Sequence, residues 1–432
     1  MSRHEKFNFR TKEALLQKIA DLGIDIPFAD DISVLFERVP VAGRTLANRF
    51  VVQPMEGDDA DGDGAPGELT FRRYRRYAAG GSGLIWFEAT AVTTDGRSNS
   101  RQLLLSEKNI DGYKRLVDAT RQAAREAGAS ASPMLVLQLT HAGRNARPVA
   151  AIARVNPILD AVSPLPGGYE TLDDDELDRM QDSFVRGAVL AEVAGFDAVD
   201  VKACHGYLVN ELLASFTRGG SRYGGPFENR SRFLRETLEK IGKRSPAIRV
   251  FSRISVSDFL PHPFGFGMSP GNAAEPDISE TVLLIQMLVD SGCGLVNISM
   301  GNPRYAPHIG RPFDTPLKGG VTPAEHPLEG VARLLRAAGD LQKRFASLPM
   351  IGCGYSWLRH FLPHVAAGVV QRKMATLIGL GRESLAYPDA VRDLQTKGSF
   401  DPRKTCTTCS GCSQLLRDGG RVGCVIRDKE IY

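Results

Sequence analysis

Cys406, Cys409, Cys412 and Cys424 lie near the end of the chain with the spacing C-x2-C-x2-C-x11-C. Such spacing lets one loop wrap three thiolates around three corners of an iron–sulfur cubane while the distant cysteine reaches the fourth. Four thiolates also suit a structural zinc ion, so the residue types alone leave both centres open. A third cysteine so close to the second is, however, unlike the paired knuckles of a zinc ribbon. The chain holds seven cysteines, an odd number. Their clustering points to metal ligation in a reducing compartment, not to a disulfide framework. Cys204, Cys293 and Cys353 read as buried small residues or pocket-wall groups.

A second set of reactive residues is scattered through the middle of the chain. Lys202, His205 and Tyr207 fall within six positions, and Pro54-Met55-Glu56, Gln138, His141, Arg253, Gly352-Cys353-Gly354 and Gly379-Leu380-Gly381-Arg382 each follow or end an apolar run. Glycines there let backbone N–H groups approach an anion, and Arg382 adds a charged clamp, although tight turns explain isolated glycines equally well. Gly352-Cys353-Gly354 lacks the third glycine of a dinucleotide fingerprint. Asp59, Asp61, Asp63 and Gly64 imitate a calcium loop, but its twelfth position is Thr70 and no helix precedes it. An acidic turn near the active-site mouth is the better reading. His141 reads as a scaffold residue.

These residues must be positioned by elements that the apolar pattern makes visible. Eight short runs, at residues 49–53, 83–87, 134–138, 198–201, 248–253, 294–298, 349–351 and 375–378, are mainly apolar rather than alternating, as strands covered on both faces should be. Helical patterns separate them. The clearest spans 173–194, with acidic residues at its start and Gly195 able to close it. Eight strands alternating with helices favour an α/β fold of the (β/α)8 barrel type, with an open doubly wound sheet as competitor. In a barrel the residues named above gather at the C-terminal strand ends. The expected division is an N-terminal extension at 1–40 with a short helix near 12–22, a barrel at 41–398, and a cysteine-bearing tail at 399–432.

Composition fits a soluble enzyme: 42% hydrophobic, 24% charged and a net charge of +4 without a long basic run. That gives no reason to expect nucleic-acid or membrane binding. No stretch is apolar enough to span a bilayer and the first residues are polar, so a cytoplasmic location is expected.

The sequence resembles the Old Yellow Enzyme-like NADH:flavin oxidoreductases, particularly the trimethylamine dehydrogenase and 2,4-dienoyl-CoA reductase branch. The matching stretches are Asn48 to Met55, Leu137 to Arg144, Ala194 to Val199, His205 to Asn210, Arg222 to Arg230 and Gly379 to Asp389, in the family's order. The resemblance implies FMN. Pro54, Met55 and Glu56 would border the flavin ring, and Gln138 would bind its pyrimidine edge. Arg253 would place positive charge near N1, and Gly354, Gly381 and Arg382 would hold the phosphate. It also implies a 4Fe-4S cluster on Cys406, Cys409, Cys412 and Cys424. The run 222–230 reads as architectural. Where ene-reductases of the family place histidine, with asparagine or histidine three residues on, this chain has Lys202 and His205, followed by Tyr207. The lysine is a departure: it still polarises a carbonyl or binds a carboxylate, with different geometry.

The expected function is reduction of an activated C=C bond conjugated to a carbonyl or thioester. Hydride from FMN would reach the β-carbon, Lys202 and His205 would polarise the acceptor, and Tyr207 would protonate the α-carbon. The alternative is oxidation of an amine or alcohol, with electrons leaving through the cluster. NAD(P)H, or a carrier protein or partner flavoprotein, would exchange electrons with the enzyme, since larger members of the branch continue past the cluster into FAD and nicotinamide domains. Two further rivals are a flavin-free Schiff-base aldolase using Lys202 with structural zinc, and a redox sensor without turnover. Substrate identity and oligomeric state, a homo-oligomer included, are left open.

Overall fold

The structure, a computed structural model, describes residues 3–165, 167–272 and 275–432. Its centre is a closed barrel of eight parallel strands: β1 (Phe50–Val52), β2 (Leu84–Ala91), β3 (Met134–Thr140), β4 (Ala198–Val201), β5 (Arg249–Ser255), β6 (Val296–Ser299), β7 (Met350–Gly352) and β8 (Leu377–Leu380). Pairing of Ile378 with Phe50 and Leu380 with Val52 closes the ring. All eight expected strands form. The eighth is displaced by two residues, because Gly379 and Leu380 still pair with β1 before the chain turns.

Principal helices flank the strands: α1 (Glu68–Ala79), α2 (Ile110–Glu126), α3 (Asp174–Ala194), α4 (Phe227–Arg244), α5 (Ser279–Asp290), α6 (Pro327–Arg344), α7 (Leu362–Gln371) and α8 (Ala390–Lys397). In α3 the Asp173 carboxylate accepts the Glu176 N–H, and the Glu176 side chain accepts the Asp173 N–H. Two backbone donors at the helix start are thereby satisfied reciprocally. Gly195, at φ 92°, ends the helix in the left-handed region, where a side chain is strained.

Three features lie outside the simple repeat. A hairpin, Val39–Val41 with Arg44–Leu46, buries Val39, Val41 and Leu46 against Val51, Leu84, Met134 and Ala198. It thereby plugs the N-terminal end of the barrel. A parallel pair, Ala150–Ile152 with Tyr169–Thr171, decorates the excursion after β3. The N-terminal extension, with a helix at Lys12–Asp21, packs Phe7 and Phe9 on Trp357.

The C-terminal segment is bound into the top of the barrel, not appended to it. Its one helix, α9 (Gly411–Arg417), lies in a loop tied down at several points. Val422 N–H donates to Gly57 O at 2.7 Å, and Arg73 donates to Val422 O at 3.1 Å. Asp428 pairs with Arg72 and Arg76, and the Ser410 hydroxyl donates to Thr315 O. No helix among the described residues is long and apolar enough to cross a membrane.

Candidate active site

A cavity of about 490 Å³ opens at the C-terminal ends of the strands. Pro54, Met55, Glu56, Lys202, His205, Tyr207, Arg253, Gly354, Gly381 and Arg382 all line it. The expected residues therefore converge, with one exception.

The exception is Gln138. Its side chain is 1% exposed and stays inside the barrel, donating to Asp200 at 2.6 Å, off the cavity wall. Asp200 also accepts from the Trp86 indole at 2.9 Å and the Arg253 backbone N–H at 2.8 Å. Burial pushes its carboxyl up to about 6, against the pull of these donors. An inward charge on β4 attracts the neighbouring strand's amide, which was not visible from the Gln138 motif. Gln53, at the end of β1, lines the cavity instead and exchanges two hydrogen bonds with Asn297.

One end of the cavity is built on the turn after β4. His205 and Gly206 both take positive φ, 64° and 72°, which reverses the chain so that Lys202, His205 and Tyr207 all line the cavity. A Cβ on Gly206 would lie 2.7 Å from the Asn302 amide, so only glycine fits this turn. Tyr207 donates to Glu56 Oε1 at 2.5 Å, and Lys202 Nζ reaches the same oxygen at 3.1 Å. Lys202 Nζ also lies 3.2 Å from the centre of the Tyr207 ring, a cation–π contact. The His205 ring bonds the Ser299 hydroxyl at 2.6 Å.

These contacts set the protonation states. Burial alone pushes the Glu56 carboxyl up, but Lys202 and the Tyr207 and Lys202 hydrogen bonds hold it below the usual carboxylate range. Burial, and then Glu56, push Tyr207 well above the ordinary phenol range, so it keeps its proton. Burial, with Arg253 and Lys202 nearby, holds His205 neutral, far below its ordinary value. The result is a carboxylate, a neutral phenol and a neutral imidazole around one space, with Lys202 paired to the carboxylate.

The other end is built from glycines and arginine. Gly354 sits at φ 95°, and a Cβ there would strike Leu334 at 2.5 Å. Gly381 starts a single helical turn, Arg382–Ala386. Arg382 donates one guanidinium N–H to Pro312 O, while its buried Nη1 has no partner. Arg253 likewise has a buried, unpartnered Nε. Orphaned cationic donors in a cavity of this size fit an anionic, partly apolar cofactor such as FMN.

Cys406, Cys409, Cys412 and Cys424 line a small void beside this end, and Cys412 and Arg382 also line the large cavity. Thr408 N–H and Arg427 N–H point at the sulfurs of Cys406 and Cys424, each at 3.4 Å. Among the described residues no three His, Cys, Asp or Glu side chains close on a point that would hold a metal ion.

Sequence reading missed Ser299, which ends β6; the strand-end rule that found the others would have found it. It also missed Arg147, Arg304, Arg311 and Arg417, which lie on separate loops and on α9. His141 is buried, accepts the Gly143 N–H at 3.1 Å and is off the cavity wall, as a scaffold residue should be. Cys353 is a wall group. Asp59 turns inward to Arg73 and Thr70 and does not line the mouth, which corrects that expectation. In the 222–230 run, Arg222 pairs with Asp178 at 2.8 Å and Arg230 donates to Leu213 O at 2.5 Å, an architectural role.

The model of the NADH:flavin oxidoreductase / NADH oxidase family matches residues 34–266, more than half of the chain. An NADPH dehydrogenase from Bacillus licheniformis is 30% identical over 373 residues, covering 84% of this chain and 95% of the relative. One from Halalkalibacterium halodurans is 32% identical over 278 residues, 63% of this chain and 75% of the relative. Among solved structures, 2-naphthoyl-CoA reductase aligns with a TM-score of 0.74 at 18% identity, covering 92% of this chain and 57% of that one. Histamine dehydrogenase from Rhizobium sp. 4-9 aligns at 0.70 and 20%, covering 92% and 53%. The chain thus spans little more than half the length of these two. An old yellow enzyme homologue from Zymomonas mobilis aligns at 0.60 and 22%, covering 85% and 94%. The chain belongs to the NADH:flavin oxidoreductase / NADH oxidase family of flavin-dependent oxidoreductases.

Proposed function

We propose that the chain binds FMN and a 4Fe-4S cluster and reduces an activated C=C bond conjugated to a carbonyl or thioester. The observation that carries the reading is the cluster of Tyr207, Glu56 and Lys202 on the cavity wall, beside a neutral His205. Bound FMN supplies two-electron hydride chemistry and one-electron exchange. The protein's own groups do the rest. Lys202 and His205 face the space where an acceptor carbonyl would lie, and the ammonium stabilises negative charge developing on that oxygen. Tyr207 holds its proton through neutral pH and delivers it from its hydroxyl. Lys202, packed on the Tyr207 ring, offsets the negative charge left there. Glu56 Oε1, at 2.5 Å, orients the hydroxyl and provides the route for a returning proton.

Pro54, Met55, Gln53 and Arg253 would border the flavin ring, with Gly354, Gly381 and Arg382 around the phosphate. For the cluster, four cysteines around a void, with backbone N–H groups aimed at two sulfurs, match the environment of cubane thiolates. Cys412 and Arg382, shared by both cavities, would bring the two centres together. NAD(P)H serves as external reductant, as the names of the NADPH dehydrogenase relatives suggest.

Amine oxidation is the weaker reading, because one carboxylate faces six arginines and a lysine in the cavity, which repels a cationic substrate. Aldolase chemistry is weaker still: Lys202 paired with an ionised Glu56 is not a free amine nucleophile. Steady anaerobic turnover of an enone with NADPH, and none of histamine or a simple alcohol, is the expected result. Amine oxidation without enone reduction would overturn the proposal.

A further inference from the structure

Among the described residues, six arginines line the large cavity and Glu56 is the only carboxylate on its wall. Three of them, Arg253, Arg311 and Arg382, are inner residues. Arg253 and Arg382 are 9% and 7% exposed. Burial, and then Arg382, push Arg311 down to about 10. A flavin with its phosphate offers enough negative charge for these three.

The outer three remain. Arg147 follows β3, Arg304 follows β6 and Arg417 ends α9, so three separate parts of the chain bring cations to one rim. Arg304 and Arg417 are exposed and Arg147 is half-buried. All three line the one cavity, and after burial Arg304 is the main charge depressing both Arg147 and Arg417. Arg304 also acts on Glu56 and Tyr207, at the reacting end. Among the described residues none of the three forms an ion pair. The Arg147 guanidinium donates to the backbone oxygens of Ala146 and Arg144. Arg417 also suits the negative end of α9, and a lone exposed arginine is commonly just solvated. Convergence is different, because like charges drawn together raise the energy of the protein unless an anion offsets them.

We infer that Arg147, Arg304 and Arg417 form a second anion site, which binds a carboxylate or phosphate carried by the reacting small molecule and so selects anionic over neutral reactants. The inference rests on the flavin-enzyme reading for its reaction, and on the rim alone for its ligand. Two carriers share this chemistry: the acceptor itself, or the extra phosphate that distinguishes NADPH from NADH.

The test compares wild type with Arg304→Gln, Arg417→Gln and Arg147→Gln, singly and combined, scored as ratios so that any general loss of rate cancels. The acceptors are benzylideneacetone and its para-carboxylate, and the reductants NADPH and NADH. Loss of a charged hydrogen bond should lower the matching ratio of kcat/KM by about ten- to a hundredfold per site. Arg304→Lys should restore part of it, and the wild-type preference should shrink as salt rises. A fall in the carboxylate ratio assigns the site to the acceptor, and a fall in the NADPH ratio assigns it to the reductant. Movement of neither ratio overturns the inference. If the protein carries no flavin or reduces neither acceptor, the flavin or ene-reduction reading fails separately. Titration with inorganic pyrophosphate still decides the rim: binding weakened about tenfold or more in the triple variant supports it, and equal binding overturns it.

Discussion

The two ends of the cavity differ in how their polar groups are satisfied. At the β4 end the protein supplies its own partners: Tyr207 and Lys202 share Glu56 Oε1, and His205 has Ser299. At the far end Arg382 keeps a buried donor without a partner. A self-satisfied network is preorganised and holds fixed protonation states, which suits proton handling. Unsatisfied buried donors carry a cost that only a bound anion removes, which suits cofactor retention. The contrast teaches that chemistry and binding are separated along one cavity. It yields distinct failures when each end is altered.

The largest effect should come from Tyr207→Phe. Removing the proton donor while keeping the ring should slow enone reduction about a hundred- to ten-thousandfold, with flavin content unchanged. Rapid-mixing kinetics should place the loss in the oxidative half-reaction; an equal loss in reduction by NADPH would contradict the division. Glu56→Gln should slow the same half-reaction less. Because Glu56 raises the Tyr207 pKa, its removal should move the alkaline limb of the pH–rate profile to lower pH. An unmoved limb would separate Glu56 from the tyrosine.

At the other end, Arg382→Gln should weaken FMN retention by about ten- to a hundredfold, read as flavin lost on gel filtration. Rates per bound flavin should change far less than in Tyr207→Phe. Comparable loss at both ends would dissolve the comparison.

Most of this architecture was legible in the sequence, and the reasons are local. Strands buried on both faces are mainly apolar, and the capping box of α3 is written in Asp173 and Glu176. The cysteine spacing and the Lys202–His205–Tyr207 group are short-range signals too. The hairpin at Val39–Leu46 was not legible, since three-residue strands leave no periodic trace. Gln138 lies off the cavity wall because its partner, Asp200, lies on the next strand. The rim arginines were invisible for the same reason, since their meaning arises only when three distant loops meet.

The smallest effect expected concerns Asp58, next to the network but outside it. Its carboxylate is buried, and burial, then Glu56, push it up to about 7 against the pull of Asn99. The folded state therefore holds a proton that an unfolded aspartate, with a pKa of about 3.9, releases. Stability from this group is present below about pH 4 and is lost as pH rises towards 7. Asp58→Asn, tolerant of the positive φ of 47° found there, should raise Tm by a few degrees at pH 8 and by less at pH 5. A gain independent of pH would contradict the assignment.

The most direct test of the two-centre proposal is an absorption spectrum of anaerobically purified protein, with flavin, iron and acid-labile sulfide quantified on wild type and Cys424→Ser. Flavin bands over a broad iron–sulfur shoulder, with about four irons per chain, are the expected result. The shoulder should disappear in the variant while the flavin remains. Flavin accompanied by zinc, or by no metal, would contradict a cluster beside the flavin cavity.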